Sequence, residues 1–415
     1  MIEKNMLAVN GGEKAIPASF FKGRFHFGPE ERTAVLALFD DVISSGNMFG
    51  YEGPQEHAFC KEFADFLGGG YADGVNSGTN AVFVALKALQ LPPFSEVIVG
   101  CVTDSGGMMP IVMNNCIPIV ADTMPGSFNT GAAMIEPLIT ERTRAIVVAH
   151  IGGEPADMPG IMALAKKYDL KVVEDCAQSH MAKINGRNVG TFGDIGTFSL
   201  MFGKHMCVGG QGGMVFTRSE EMYWKIRRAA DRGKPFNLPE GSTNCLATIN
   251  CNMDELHAAI GREQLKKLPG IVERRKAMVK LLMDKGMRTL KAVRIPELPS
   301  GADHCYWWWK LKVDSTALNC SKDDFCCALN AEGMIMMEDY RAALPATMEW
   351  FKNRREKFPW NAPQYKGNPE QQFRCPNADK VMDNYFILFL YESWGEAEAD
   401  AIINAFHKVE AVLAK

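Results

Sequence analysis

Three short segments hold residue types that could do chemistry together. The first is Gly74-Val75-Asn76-Ser77-Gly78-Thr79-Asn80, directly ahead of a run with Val82, Ala85, Leu86 and Leu89 at helical spacing. Small residues let a backbone approach a ligand closely, and a helix N-terminus offers unpaired N–H groups and a positive dipole end to a phosphate. The same residues also make an ordinary helix cap. Their spacing is neither the P-loop nor Gly-x-Gly-x-x-Gly, so no nucleotide is specified. The second segment, Val172-Val173-Glu174-Asp175-Cys176-Ala177-Gln178, ends an apolar, β-branched run. Ligands of open α/β sheets sit beyond the carboxyl ends of strands. An acid there could hold a cationic ring or a metal, or cap the next element. The third is Thr197-Phe198-Ser199-Leu200-Met201-Phe202-Gly203-Lys204, followed by Gly209-Gly210-Gln211-Gly212-Gly213. A lysine after a strand is, in isolation, a solvated side chain.

Lys204 is not isolated. It lies 29 residues after Asp175, ahead of a glycine cluster and close to a serine that could bind phosphate. A phosphate cradle, an acid for a ring nitrogen and a lysine able to condense with an aldehyde are together the parts of a pyridoxal phosphate site.

The elements that must position these parts can be read from the apolar pattern. Val97-Ile98-Val99, Pro118-Ile119-Val120, Ala145-Ile146-Val147-Val148 and Lys171-Val172-Val173 read as strands buried on both faces. They alternate with helices over 79–89 and 158–168, which predicts an α/β domain with a mostly parallel sheet. After Asn250 the pattern changes. An amphipathic helix is expected over 254–268 and a second, basic and apolar one through Glu273 to Met287. Beyond residue 290, alternating runs at 306–313 and 385–390 enclose a helix at 323–332, and a last helix spans 397–413. This reads as a smaller α+β domain. Residues 341–376, rich in Pro, Asn and Arg, read as a long loop.

Composition bounds the function. The chain has 415 residues, and 45 basic against 49 acidic side chains give 45 − 49 = −4. No large positive field is available to hold nucleic acid. Apolar residues at 47% can bury a full core, which excludes a disordered chain. No run of about 18 apolar residues is present, so no membrane span is expected. Met1 to Lys14 holds acids and bases without an apolar core, so no secretory leader is expected. Twelve cysteines show no Cys-x-x-Cys and no zinc spacing, which predicts a reduced, cytoplasmic protein. Cys326-Cys327 reads as helix packing.

In order and spacing the motifs resemble the DegT-type sugar aminotransferases, within the fold type I pyridoxal phosphate enzymes. The resemblance covers nearly the whole chain. It runs through Gly50-Tyr51-Glu52-Gly53-Pro54, Ser77-Gly78-Thr79, His150-Ile151-Gly152-Gly153, Pro155-Ala156-Asp157-Met158 and Glu174-Asp175-Cys176-Ala177-Gln178. It continues through Gly186 to Gly190, Phe198-Ser199, Lys204, Gly212-Gly213, Gln264-Leu265 and Arg374-Cys375-Pro376-Asn377. It implies a large cofactor domain over residues 1–288, with a mostly parallel, seven-stranded-type sheet flanked by helices as in aspartate aminotransferase. A small C-terminal α+β domain would follow over 289–415. It also implies roles: Lys204 as the Schiff-base lysine and Asp175 paired with the pyridine nitrogen. Gln178 would lie near the ring or its phenolic oxygen. Gly78, Thr79 and Ser199 would hold the phosphate. Asn250 would reach the cofactor phosphate of a neighbouring subunit, which implies a homodimer with shared sites.

Three positions depart from the pattern. Asp104 stands where an aromatic residue commonly stacks on the ring, Gln211 where Glu or Asp is usual, and Asn252 where an arginine is expected. The activity implied is transamination of a keto sugar, sugar acid or cyclitol with glutamate or glutamine as donor. One candidate product is a cell-surface sugar acid such as 8-amino-3,8-dideoxy-octulosonate, used in lipopolysaccharide. Phe202-Gly203-Lys204 is closer to the cyclitol and aminohydroxybenzoate branch. A same-fold dehydratase would replace the lysine by histidine, whereas here Lys204 is intact beside His205. A non-catalytic cofactor-binding regulator need not retain Lys204, Asp175 and Ser199, and a nicotinamide oxidoreductase would need a glycine fingerprint that is missing. Arg341 and Arg374 are candidates for a substrate carboxylate. Tyr306 to Lys310 reads as a half-buried strand, and His150 and His180 as packing near strand ends rather than metal ligands.

Overall fold

The computed structural model describes residues 6–415; the first five residues of the stretch read above for a leader lie outside them. Seven strands form the main sheet, in the order Tyr71–Val75, Gly213–Thr217, Ile195–Ser199, Lys171–Asp175, Thr143–Ala149, Glu96–Gly100, Ile117–Ala121. The last five are mutually parallel. Gly213–Thr217 runs antiparallel to both its neighbours. Two reversals cancel, so Tyr71–Val75 points the same way as the five parallel strands. Val75, Ser199, Asp175, Ala149 and Gly100 therefore all end at one edge of the sheet.

The apolar runs explain the layering. Val97, Ile98, Ile146, Val147, Val172 and Val173 have no exposed surface, as strands covered on both faces require. Pro118 fits because its strand is at the sheet margin, where a missing N–H costs no ladder bond. The helices Gly78–Leu89 and Met158–Tyr168 follow their strands as expected.

A second sheet, antiparallel throughout, has the order Val293–Arg294, Trp308–Val313, Tyr385–Phe389, Met336–Met337. The strand at Trp308 begins later than expected. Tyr306 has φ 50° and so turns the chain before it, and the strand is buried nearly throughout rather than half-buried. The segment 341–376 is irregular apart from short turns and Glu349–Lys352.

The expectation for the helices after Asn250 fails as well. The two helices predicted after Asn250 are a single helix of 30 residues, Glu255–Asp284, which runs straight through Pro269. A proline inside a helix costs about 3 kcal/mol. Here Leu268 and Val272 pack into one apolar cluster with Phe59 and Phe63. Met278 and Leu282 pack into another with Phe325 and Phe406. Each such side chain contributes roughly 1.5–3 kcal/mol when buried, so burial at both ends outweighs the break. The second cluster also takes in Leu7 and Ile16 from the start of the chain. No helix among the described residues is long and apolar enough to cross a membrane.

Glu174 fixes the strand end on which the site is built. Its buried carboxylate accepts N–H groups of Gly190 at 2.8 Å, Phe192 at 2.6 Å and Gly193 at 2.7 Å. It also meets His150 Nε2 at 3.2 Å. Since the Ala156 N–H donates to His150 Nδ1 at 3.0 Å, the ring proton is on Nε2 and points at Glu174. Glu174→Ala strands three buried donors at about 1–3 kcal/mol each. Urea unfolding should show a loss of at least about 3 kcal/mol; a loss below about 0.5 kcal/mol would contradict this role.

Candidate functional site

The cleft lies where the strands end. Its wall contains Ser77, Gly78, Thr79, Asp104, His150, Asp175, Gln178, Ser199, Lys204 and Gln211. Six of the seven residues singled out from sequence are thus brought together. Asn250 is the exception: it is exposed, outside this cleft of its own chain, where its Oδ1 accepts the Asn252 N–H at 3.0 Å.

Each part has a local cause. Ser77 caps the helix Gly78–Leu89, its Oγ accepting the Asn80 N–H at 3.1 Å. That leaves the first-turn N–H groups of Gly78 and Thr79 aimed at the cleft mouth. A Cβ at Gly78 would stand 2.6 Å from Ser199 Cβ and 2.8 Å from its Oγ. Only glycine lets these two segments meet. The turn that carries Lys204 is held by the glycine cluster, with Leu200 N–H on Gly212 O at 2.8 Å and Phe202 N–H on Gly210 O at 3.1 Å. A Cβ at Gly213 would strike Ser77 O at 2.4 Å, so that glycine too is imposed by close approach.

Lys204 is 8% exposed and Asp175 is 9% exposed. Burial drives the Lys204 amine down to about 8, although Asp175 and Asp104 pull the other way. Burial likewise raises the Asp175 carboxyl, against the Ala177 N–H it accepts at 3.0 Å and the charge of Lys204. No lysine or arginine comes within ion-pair distance of Asp175 among the described residues. A buried acid in this state is stabilised by a cationic N–H arriving from a ligand. Elsewhere in the cleft the first turn of the helix Gly78–Leu89 and the Ser199 hydroxyl supply the donors a phosphate needs. The residues present therefore fit pyridoxal phosphate: a reactive amine, an acid for the ring nitrogen and an anion cradle.

Gln178 is fixed at both ends of its amide. Its Oε1 accepts the Gly152 N–H at 2.7 Å and its Nε2 donates to the Tyr340 hydroxyl at 3.1 Å. Asp104 caps the helix Ser105–Met113 through the Gly106 N–H at 2.8 Å. His150 is the one ring among the residues lining the cleft. His205 is turned away, with Nε2 on Cys305 O at 3.1 Å. His180 is buried behind the lysine, and burial with the Lys204 charge lowers it to about 3. Arg341 pairs with Asp339 and Asp383 instead of entering the cleft, and Arg374 lines a separate surface pocket.

Sequence reasoning missed two residues. Tyr340 reaches Gln178 from a loop with no chemical pattern. Trp307 places its ring over Lys204 Nζ, 4.1 Å from the centroid. Its signal, three consecutive tryptophans, reads first as a strand.

The chain is similar to known aminotransferases over most of its length. The family model described as DegT/DnrJ/EryC1/StrS aminotransferase family matches residues 29–407. The chain is 33% identical over 311 residues to UDP-N-acetyl-3-dehydro-alpha-D-glucosamine 3-aminotransferase of Acidithiobacillus ferrooxidans, covering 75% of this chain and 80% of that one. It is 29% identical over 326 residues to L-glutamine:2-deoxy-scyllo-inosose aminotransferase of Micromonospora echinospora, covering 75% and 76%. The crystal structure of an aminotransferase from Psychrobacter cryohalolentis superposes with a TM-score of 0.83 at 28% identity, covering 94% of this chain and 99% of the other.

Two outcomes follow from the geometry. Amine-selective labelling of Lys204 in the cofactor-free protein should rise with pH through a midpoint near 8, because only the neutral amine reacts. A midpoint above 10 would show an amine open to water. Gly78→Ala should weaken pyridoxal phosphate binding roughly tenfold or more, about 1.4 kcal/mol; equilibrium dialysis showing unchanged affinity would contradict the cradle.

Proposed function

The chain belongs to the DegT/DnrJ/EryC1/StrS aminotransferase family and is a transaminase, and on that premise we propose that it aminates the keto group of a sugar, sugar acid or cyclitol. Pyridoxal phosphate is the cofactor and glutamate the donor, with glutamine as the variant the donor assay separates. The observation that carries this is a buried amine at Lys204, its pKa lowered to about 8, and a buried acid at Asp175 lining one cleft without a direct ion pair. Two relatives support the class of acceptor, one named for a keto-aminosugar and one for a cyclitol.

When bound, pyridoxal phosphate supplies an electron sink for the carbon being deprotonated. The rest belongs to the protein. Lys204 holds the cofactor through its neutral nitrogen. Once released, that nitrogen takes a proton from the substrate carbon and returns it. Asp175 keeps the ring nitrogen protonated by unlike charge. Gly78, Thr79 and Ser199 bind the phosphate, and Gln178, held by Gly152 and Tyr340, lies beside the ring. Phosphate contacts secure the cofactor without joining the reaction, so their loss acts on affinity. Loss of Asp175 acts on rate.

The working unit is a homodimer. Ile43 at 77% exposed, Met48 at 89% and Phe202 at 67% are large apolar side chains left on the surface, and Phe202 stands on the lysine turn. Asn250 is exposed beside half-exposed Ile249 and reaches a neighbour's cofactor phosphate. Sedimentation should give a dimer.

Lys204→Ala should lose both the visible absorbance of attached cofactor and turnover with glutamate and a keto-sugar panel. Asp175→Asn should keep bound cofactor and lose about a hundredfold or more in kcat. Turnover unchanged in Lys204→Ala would overturn the assignment, and full activity in Asp175→Asn would remove the role of the acid.

A further inference from the structure

Lys204 carries a flexible four-carbon stem. Between its release from the cofactor and its re-attachment its nitrogen must stay beside the reacting carbon. No carboxylate holds it at ion-pair distance among the described residues. What meets it is the face of Trp307, 4.1 Å from Nζ to the ring centroid. The indole is itself tied to the lysine's turn, its Nε1–H donating to Gly203 O at 2.9 Å. Ring and amine therefore share one frame.

The main chains are joined a second time. Arg24 donates to Lys204 O at 2.8 Å and to Glu392 Oε1 at 3.1 Å. Glu392 Oε2 pairs with Arg275, which is 1% exposed, at 2.9 Å. Arg275 in turn donates to Trp307 O at 2.8 Å and Tyr306 O at 2.9 Å. A chain of Arg24, Glu392 and Arg275 thus links the carbonyl of Lys204 to that of Trp307. The bend at Tyr306, φ 50°, leaves Trp307 ahead of the second sheet with its ring over the lysine.

We infer that Trp307 is a positioning residue, its π face holding the free Lys204 ammonium beside the reacting carbon. The inference rests on the reading of Lys204 as the cofactor-bearing lysine. A cation over a tryptophan face gains about 0.5–1 kcal/mol, or more when desolvated. That defines where the amine rests without fixing its proton. A carboxylate in contact would raise the amine's pKa and keep it charged. Asp175 and Asp104 are the acids that act on this amine. His180, behind it, is neutral near pH 7 because burial keeps its pKa low. The π face is the remaining partner of the charge.

The test replaces Trp307 alone with tryptophans of increasing ring fluorination, which weakens the π face at nearly constant shape. The cofactor-free protein is mixed with pyridoxal phosphate across a pH series. The rate of covalent attachment is followed by visible absorbance, with borohydride reduction and peptide mass spectrometry locating the attachment. The midpoint of the pH profile should fall stepwise with fluorination, by about half a unit in total. Trp307→Leu should fall similarly and lower kcat more than the KM for glutamate. Trp307→Phe, which keeps a π face, should lie between. A midpoint indifferent to fluorination, with cofactor attached at Lys204, would overturn the inference. Attachment at another lysine would instead overturn the reading of Lys204.

Discussion

An amine that is buried yet not neutralised by a contacting acid is the condition on which the site depends. Charge on Lys204 is disfavoured by loss of water, and Asp175 and Asp104 restore only part of it. Asp175 has the converse difficulty, since burial disfavours its anion. A direct ion pair would relieve both and leave an inert cation and an inert anion. Kept beyond ion-pair distance, each is held short of its stable state, and a ligand with an aldehyde at one end and a basic ring nitrogen at the other satisfies both.

The fold maintains that separation by topology. Asp175 and Ser199 end neighbouring parallel strands, and the antiparallel strand Gly213–Thr217 turns the glycine cluster back to the same edge. Backbone then meets backbone at Gly78 and Gly213, where no Cβ can be accommodated. Glu174, next to Asp175, points to the opposite side and draws in the N–H groups of 190–193. Adjacent acids on one strand thus have unlike duties because successive side chains alternate in direction. Residues outside this sheet complete the frame: Trp307, just ahead of the second sheet, and the Arg24–Glu392–Arg275 chain.

The strands and the motifs at their ends were legible because each is local. Val97-Ile98-Val99 and Lys171-Val172-Val173 announce buried strands, and Ser77-Gly78-Thr79 announces a capped helix. The continuity of Glu255–Asp284 through Pro269 was not legible, because it depends on apolar clusters contributed by distant segments. Trp307 and Tyr340 were hidden for the same reason. Each reaches the site across more than 100 residues of sequence, and nothing nearby marks it. Asp104 was legible as a departure from the pattern, and its local duty is to cap a helix.

The site turns on two atoms, Lys204 Nζ and a carboxylate oxygen of Asp175, and on one vitamin-derived ring lying between them. A crystal structure of the protein grown with pyridoxal phosphate tests it most directly. Continuous density should run from Nζ into the cofactor, with the ring nitrogen within hydrogen-bond distance of Asp175. A free Nζ with the cofactor held elsewhere, or a ring nitrogen facing water while Asp175 stays unmet, would contradict it.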